Sequence, residues 1–211
     1  MKIGLLGGGN VGSALGTAWV KSGHEVFFGV RDPNAADMNE TLGACEGRAR
    51  AGTPAQAIAF AGVVAVALPW PAVENVLGSL DVTGKILIDC TNPPAGLHGA
   101  TGKLLSGAEI IAAKFPQTKV AKCFNITGAN NMANPMYAEG PATMYVCADD
   151  AEAKAASMTL SSDAGFETYD LGPLNNARLL ESLAQLWIWL AYRGGLGREF
   201  AFRLVRHEAA K

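Results

Sequence analysis

Short apolar runs alternate with stretches of helical periodicity along most of this chain of 211 residues. Runs of this length, rich in valine, isoleucine and phenylalanine, are typical of buried strands. They lie at residues 2–6, 25–30, 63–68, 85–89, 119–124, 144–148 and 166–169. After the first run, residues 11–21 carry Ala14, Leu15, Ala18 and Trp19 at helical spacing. Strands separated by helices in this way predict an α/β fold, a mostly parallel sheet with helices on both faces.

Capping signals indicate where several of the helices begin. Residues 53–56 (Thr-Pro-Ala-Gln) form a capping box with proline at the first helical position, and residues 106–109 (Ser-Gly-Ala-Glu) repeat the box. Residues 149–152 (Asp-Asp-Ala-Glu) follow the same logic with aspartate in place of serine. Pro71 is expected to open another helix.

The pattern changes to continuous helical periodicity from Pro173 onward. Leucine and tryptophan form a broad apolar stripe there: Leu179, Leu180, Leu183, Leu186, Trp187 and Leu190. Glycines at 194, 195 and 197 interrupt the stripe, and a basic tail follows, which we expect to be helical. We therefore expect a domain of residues 1–172 and a helical extension of residues 173–211 that packs on it as part of a single globular unit.

The apolar stripe is too broad for one face of a sheet to cover. A helix this apolar is buried on more than one face, and a soluble monomer avoids an exposed apolar patch. We therefore expect a homodimer in which one copy of the helix covers the other through a twofold interface. The alternative is that the tail from Leu196 onward folds over the second face of the helix.

The charge balance argues against several classes of partner. Lysine and arginine number 17 and aspartate and glutamate 19, so the basic patch that nucleic acids or anionic membranes require is not expected. No apolar stretch is long enough to span a membrane. The four cysteines, Cys45, Cys90, Cys123 and Cys147, show no Cys-x-x-Cys spacing. We expect no metal site, and reduced core thiols in a cytoplasmic protein.

A glycine-rich turn links the first predicted strand to the first helix. Gly7, Gly9 and Gly12 spell G-x-G-x-x-G in this strand-to-helix context, which makes the motif specific. The glycines allow the tight turn, the close approach of a pyrophosphate and the packing of helix on strand, and the helix N-terminus favours the anion. The pattern predicts a Rossmann-type dinucleotide site at the turn residues Gly7, Gly8, Gly9, Asn10, Val11 and Gly12.

The end of the second predicted strand indicates which dinucleotide is bound. An NAD-type site carries an acid there that bonds the ribose hydroxyls, whereas this chain has Gly29 at the tip, followed by Val30 and Arg31. A planar guanidinium suits a phosphate monoester, which a carboxylate would repel. We therefore predict NADP(H), with Val30 and Arg31 at the 2′-phosphate. The alternative is that Arg31 forms a solvated surface pair with Asp32.

With these residues in view, the chain resembles the family of NADP oxidoreductases that depend on an 8-hydroxy-5-deazaflavin coenzyme. It is also similar to the cytosolic reductase domain of the six-transmembrane metalloreductases. The likeness runs from Lys2 to about Arg206. Its motifs are GGGNVG at 7–12, GHE at 23–25, GVR at 29–31, LPW at 68–70, TNP at 91–93, KCFN at 122–125 and GPLNNARLLES at 172–182.

The resemblance implies an activity and a role for each motif. The implied activity is hydride transfer between NADP(H) and the deazaflavin coenzyme, or FMN or FAD in the flavin-dependent relatives, in a homodimer. The cofactor residues implied beyond the glycine turn and the arginine are Ala67, Leu68, Pro69, Trp70, Asn92 and Pro93. The implied substrate-binding residues are Phe124, Asn125 and Leu196. The motifs at 68–70, 91–93 and 122–125 also follow predicted strand ends, where ligands of open α/β sheets bind.

Several of these residues have structural explanations that the sequence leaves open. Pro69 and Pro71 can simply end a strand and begin a helix. Asn92 and Pro93 form a common turn sequence, and Phe124 can belong to the core.

No acid–base machinery is expected from the sequence. Of the three histidines only His98, in the loop after Pro93, lies where it could approach a ligand, and no Ser-His-Asp or Cys-His arrangement is present. Direct hydride transfer to a flavin-type ring requires positioning rather than a general acid or base, so we assign no catalytic residue. Three other functions stay open: a flavin or ferric reductase, a reductase of imines or 2-hydroxyacids, and a non-enzymatic NADP(H)-sensing protein.

Overall fold

The structure, a computed structural model, describes residues 1–94, 96 and 104–207. Its strands are β1 (Lys2–Leu6), β2 (Glu25–Gly29), β3 (Ala49–Gly52), β4 (Val63–Val66), β5 (Ile86–Asp89), β6 (Lys119–Lys122), β7 (Met136–Tyr137), β8 (Gly140–Pro141), β9 (Thr143–Ala148) and β10 (Glu167–Asp170). Its α-helices are α1 (Asn10–Lys21), α2 (Ala36–Gly43), α3 (Pro54–Phe60), α4 (Trp70–Gly78), α5 (Gly107–Lys114), α6 (Ala129–Ala133), α7 (Ala151–Asp163) and α8 (Ala177–Tyr192).

Eight strands form one sheet in the order β10-β9-β6-β5-β4-β1-β2-β3. Strands β1 to β6 are parallel to one another, whereas β9 is antiparallel to β6 and β10 is parallel to β9. The predicted α/β fold with a mostly parallel sheet is confirmed. The chain proceeds from β1 to β2 on one side and continues at β4 on the other. The carboxyl end of β1 therefore lies at the switch point where ligands of such sheets bind.

Strand β3 was not predicted, because its sequence contains no apolar run. β3 has the sequence Ala-Arg-Ala-Gly and pairs only with β2, at the edge of the sheet. The guanidinium of Arg50 lies over the rings of Phe27 and Phe60, at 6.0 and 5.2 Å from their centroids. Backbone pairing and cation–π contacts therefore hold a strand that hydrophobic periodicity does not reveal.

Two of the three helix starts predicted from a capping residue are confirmed with both hydrogen bonds of the capping box. They are Thr53 before α3 and Ser106 before α5. The third helix starts one residue later than predicted, because Asp150 caps α7 by accepting from two backbone N–H groups of its first turn, each at 2.9 Å. Asp149 accepts instead from the backbone N–H of Leu174, and so ties the turn before α8 to the end of β9.

All four cysteines are free and buried, as predicted for core thiols. Burial raises the pKa of Cys147 to about 12 and raises the pKa of Cys123 well above its usual value. Because the thiolate is the reactive form of cysteine, these side chains are suited to packing rather than to nucleophilic chemistry.

The last helix packs on the rest of the chain by one face. Its buried residues recur every three or four positions: Ala177, Leu180, Ala184, Trp187 and Ala191. Large apolar side chains outside that face are exposed, among them Leu179 at 60%, Trp189 at 54% and Tyr192 at 64%. Even so, the described part of the chain has no helix with the length and hydropathy needed to cross a membrane.

The tail after α8 is extended, which corrects the expectation of a helical tail. Gly195 and Gly197 have φ angles of 76° and 70°, a conformation that ends helices. Beyond them, the described residues 193–207 contain no helix. Phe200 stacks on Trp187 with ring centroids 5.3 Å apart, and the tail backbone hydrogen-bonds to the first residue of β9. Contacts with the domain therefore hold the tail where helical turns were expected.

Candidate functional site

A cleft of about 790 Å³ lies at the carboxyl ends of β1, β2 and β4. Its size is in the range of cofactor sites. The glycine turn, Val30 and Arg31 after β2, and residues 67–69 after β4 line the cleft together with the start of α2. Residues predicted from three separate parts of the sequence thus meet at the switch point of the sheet.

The backbone of the glycine turn explains three of its glycines. Gly7 has a φ of 109°, and a Cβ there would collide with the carbonyl oxygen of Ala67. A Cβ on Gly12 would collide with the carbonyl oxygen of Gly7, so glycine is what lets α1 lie this close to β1. At Gly9, by contrast, a Cβ would meet nothing within 4 Å. The space over Gly9 is open to the cleft, as the motif predicts.

The first turn of α1 offers backbone N–H groups beside this open space. α1 begins at Asn10, and its N-cap, Gly9, has no side chain that could accept from them. The first four N–H groups of an α-helix lack partners within the helix and carry the positive end of its dipole. The first turn also contains no acidic residue. The turn therefore fits the pyrophosphate of a dinucleotide.

Arg31 is exposed and lines the cleft beside Asp32. The Asp32 carboxylate accepts a hydrogen bond from the backbone N–H of Asn34 at 2.9 Å, which fixes a turn. Among the residues that the structure describes, no carboxylate forms an ion pair with Arg31. The surface pair with Asp32 is therefore not formed, and the guanidinium can meet an anion in the cleft.

Trp70 does not line the cleft, although its neighbours Leu68 and Pro69 do. Trp70 is the first residue of α4, and its ring fills the space beside Gly107. A Cβ on Gly107 would lie 2.7 Å from Cζ3 of Trp70 and 3.3 Å from Cγ of Pro93. The ring also borders a separate cavity of about 120 Å³ between α4 and α5. Trp70 thus supports the wall formed by Pro93 and Gly107, and its expected place beside the cofactor stays a prediction.

Asn92 and Asn125 join each other beyond the ends of β5 and β6. Asn92 Nδ2 donates to the backbone carbonyl of Asn125 at 2.7 Å, and Asn125 Nδ2 donates to Oδ1 of Asn92 at 3.0 Å. Oδ1 of Asn125 and the hydroxyl of Thr91 are buried without a hydrogen-bond partner in the described part of the chain. Buried polar atoms normally have a partner.

Phe124 is a core residue, which corrects its expected place in the substrate site. Its side chain is completely buried, and its ring meets that of Trp19 edge to face with centroids 5.5 Å apart. Its φ of 62° is a left-handed conformation that is costly for a large side chain. This conformation bends the chain after β6, so that the Phe124 ring enters the core while Asn125 reaches Asn92.

Leu196 and His98 are not found at the cleft among the described residues, for different reasons. Leu196 follows α8, is 60% exposed, and is not among the residues that line the cleft. His98 lies outside the described residues. Of the three predicted substrate-binding residues, only Asn125 is therefore joined to a predicted cofactor residue, Asn92.

Sequence reasoning missed a buried ion cluster next to the asparagine pair. Lys122 and Asp89 end β6 and β5, are aligned in register, and are completely buried. Nζ of Lys122 lies 2.9 Å from Oδ2 of Asp89 and 2.9 Å from Oε1 of Glu181 on α8. Burial disfavours the ammonium, but the two carboxylates outweigh it and raise the pKa of Lys122. Burial also raises the pKa of Glu181, against the opposing effect of Lys122. The sequence did contain a signal for this cluster, because Asp89 and Lys122 are charged residues within two consecutive apolar runs, 85–89 and 119–124.

The fold recurs in known proteins. Residues 2–93 match the family model described as NADP oxidoreductase, coenzyme F420-dependent. A crystal structure of a candidate F420-dependent NADP-reductase from Arthrobacter sp. FB24 is 32% identical and has a TM-score of 0.82. The match covers 98% of this chain and 100% of that one.

Other similar proteins share only part of their length with this chain. The metalloreductase STEAP3 of Rattus norvegicus is 30% identical over 184 residues, which cover 86% of this chain and 36% of that protein. The chain thus spans little more than a third of the curated relatives it matches. A reductive aminase from Aspergillus terreus in complex with NADPH is 21% identical with a TM-score of 0.70, over 92% of this chain and 62% of that one, and shows the fold alone. On the full-length match to the Arthrobacter protein and the family model, the chain belongs to the family of F420-dependent NADP oxidoreductases.

Proposed function

We propose that this chain binds NADP(H) in the cleft and transfers hydride between the nicotinamide and a deazaflavin or flavin coenzyme. The observation that carries the proposal is the guanidinium of Arg31, which lines the cleft after β2 while the neighbouring Asp32 is engaged in a turn. An arginine at this strand end that has no ion-pair partner among the described residues favours a 2′-phosphate, and the absence of an acid at Gly29 disfavours NAD-type ribose binding.

Each part of the site would hold one part of the dinucleotide. The open space over Gly9 and the N-terminus of α1 suit the pyrophosphate, and Arg31 suits the 2′-phosphate. Residues 67–69 after β4 also line the cleft, whereas the asparagine pair lies beyond the ends of the next two strands of the sheet, β5 and β6. Oδ1 of Asn125 and the hydroxyl of Thr91 have no partner among the described residues, and a carboxamide, which both donates and accepts, is the group of the nicotinamide that we assign to them.

The chain's own residues position reactants rather than exchange protons. Bound NADP(H) supplies the chemistry, since nicotinamide C4 gives or takes hydride directly. The protein must hold the two rings with reacting atoms about 3–3.5 Å apart and keep water out. The Asn92–Asn125 pair and the wall of Pro93 and Trp70 are packed, hydrogen-bonded parts suited to that positioning.

A panel of acceptors tests the proposal. NADPH is mixed with the purified chain and, separately, with the 8-hydroxy-5-deazaflavin coenzyme, FMN, FAD or riboflavin, and its loss is followed by absorbance. Turnover with the deazaflavin is expected, and NADH in place of NADPH should react far more slowly. Absence of turnover with every ring, despite tight NADPH binding, would contradict the enzymatic proposal and favour an NADP(H)-sensing protein.

A flavin or ferric reductase is the second candidate, because the metalloreductase STEAP3 is 30% identical over most of this chain. Turnover with FMN or FAD but not with the deazaflavin would favour it. Adding a ferric chelate to the flavin reactions then shows whether the reduced flavin passes its electrons to iron.

We also propose that residues 173–211 extend one globular unit and join two copies of the chain. The tail covers Trp187 of α8 through Phe200, but it leaves Leu179, Trp189 and Tyr192 each more than half exposed. Such a surface favours self-association, in which the same patch on two copies covers itself. A cytoplasmic location and small-molecule partners without nucleic acid complete the proposal, supported by four unpaired buried cysteines and a net charge of -2.

A further inference from the structure

Every donor of the buried Lys122 ammonium has a partner. Besides Asp89 and Glu181, Nζ donates to the backbone carbonyl of Thr91 at 2.6 Å, which uses all three N–H bonds. The side chains of Lys122 and Asp89 are 0% exposed and that of Glu181 is 11% exposed. Burying an ammonium is costly, and a buried ion cluster often stabilises a fold no better than apolar residues of the same size. Stability alone therefore does not account for this cluster.

The cluster holds both backbone polar groups of Thr91. Its N–H donates to Oδ1 of Asp89 at 2.9 Å, and its carbonyl accepts from Lys122. Thr91 carries one of the two unpartnered buried atoms of the site, and it directly precedes Asn92. The ion pair therefore fixes the backbone of Thr91, the residue directly before Asn92.

The second asparagine starts from the same pair. Asn125 follows Lys122 by three residues, through the bend made by Phe124, and its amide closes the two hydrogen bonds to Asn92. The ion pair of Asp89 and Lys122 thus joins the ends of β5 and β6, and the segments that carry Asn92 and Asn125 begin directly after it.

Glu181 connects the ion cluster to the wall formed by Pro93 and Gly107. Its Oε1 accepts from Lys122 and also from the backbone N–H of Gly107 at 2.8 Å, at the start of α5. Gly107 is the residue against which Trp70 and Pro93 pack. A single carboxylate of α8 therefore ties the charged cluster to the wall beside Asn92.

We propose that Lys122 is a positioning residue, which acts through Thr91 to set the Asn92–Asn125 amide pair for the nicotinamide end of the cofactor. Glu181, on helix α8, helps to hold Lys122 in place for this role. This inference rests on the proposed function, because it assigns the amide pair to the nicotinamide.

Two ligands separate this role from a general loss of structure. Adenosine 2′,5′-bisphosphate carries the adenosine half and the 2′-phosphate but no nicotinamide, whereas NADPH carries both halves. The test variant combines Lys122→Met with Asp89→Asn and Glu181→Gln, so that no charge of the cluster is left buried without its partner. Calorimetry should show NADPH affinity reduced about tenfold, the scale of one lost hydrogen bond, and adenosine bisphosphate affinity changed by less than about twofold. The fluorescence of bound NADPH should shift towards that of the free cofactor, because the dihydronicotinamide is no longer held.

Lys119→Met is the matched control, because Lys119 begins the same strand and pairs with Glu152 at the surface. It should leave both affinities unchanged. An equal loss for both ligands, or no loss for NADPH, would overturn the positioning role, as would a native chain that binds NADPH no more tightly than the adenosine half. A native chain that binds neither ligand would overturn the proposed function and this inference with it.

Discussion

A side chain at Gly7 would collide with the carbonyl oxygen of Ala67, which is the first residue after β4. The glycine turn after β1 and the segment that lines the other side of the cleft are therefore in backbone contact. The cleft owes its shape to this contact, and the two glycines Gly7 and Gly9 should respond to substitution in opposite ways.

Gly9→Ala should preserve the fold and impair cofactor binding. Its φ of -76° suits alanine, and no atom lies within 4 Å of the added methyl group. The free energy of unfolding should change by less than about 1 kcal/mol. NADPH affinity should fall at least tenfold, about 1.4 kcal/mol, because the methyl group occupies the approach of the pyrophosphate. Denaturant unfolding and calorimetry measure the two quantities.

Gly7→Ala should instead destabilise the protein by about 3 kcal/mol, because it combines a positive φ with a backbone collision. Gly62→Ala is the control for both variants, because a Cβ there also meets nothing within 4 Å. Unchanged NADPH affinity in Gly9→Ala would contradict the pyrophosphate assignment.

Arg31→Ala should distinguish the two nicotinamide cofactors. NADPH binding should weaken by about 1.5–3 kcal/mol, the scale of a charge-assisted hydrogen bond. NADH lacks the 2′-phosphate, so its binding should hardly change. Arg50→Ala removes another exposed arginine, one whose guanidinium lies over Phe27 and Phe60, and should affect neither cofactor. Equal losses for NADPH and NADH in calorimetry would rule out the 2′-phosphate role.

The cysteines should be inert in the native protein. Burial raises the pKa of Cys45, Cys90, Cys123 and Cys147, so little thiolate forms at pH 8. A chromogenic disulfide reagent should release four equivalents only after denaturation, and activity should survive the reagent. Rapid inactivation that NADPH prevents would show that one thiol lies at the cofactor site.

The exposed face of α8 should support a dimer in solution. Light scattering at micromolar concentration should give twice the chain mass of 21.9 kDa. Trp189→Glu should shift the mass towards the monomer, because it places a charge in the apolar patch. Met136→Glu alters an equally exposed apolar side chain on β7, and should leave the mass unchanged. A monomer mass for the native chain, with and without NADPH, would refute the dimer.

Local patterns predicted most of the fold, but contacts between distant residues decided the parts that were wrong. The strands, the glycine turn and two caps each depend on residues that are close in sequence. β3 and the tail are held by partners elsewhere, and Asp149 is drawn from its helix cap to Leu174. Helical spacing and turn residues carry no information about such partners.

The candidate site divides in the same way. Arg31 and the glycines are placed by the ends of their own strands, where sequence reasoning is strongest. Phe124 was misplaced because a bend of φ 62° directs its ring into the core, and the missing side chain of Gly107 decides where the ring of Trp70 packs. The pairing of Asn92 with Asn125 crosses 33 residues, so it required the structure.

The link between Lys122 and Glu181 limits how such a chain can be divided. The ammonium lies within the sheet domain, while one of its two counter-charges arrives on the last helix. A version shortened before α8 would therefore leave Lys122 and the start of α5 each short of a partner. Chimeras that join the first 172 residues to the final segment of another family member should work only when that segment brings a carboxylate to the place of Glu181. The contacts of Glu181 thus join α8 to β6 and α5, and they should limit how freely the helical extension can be exchanged.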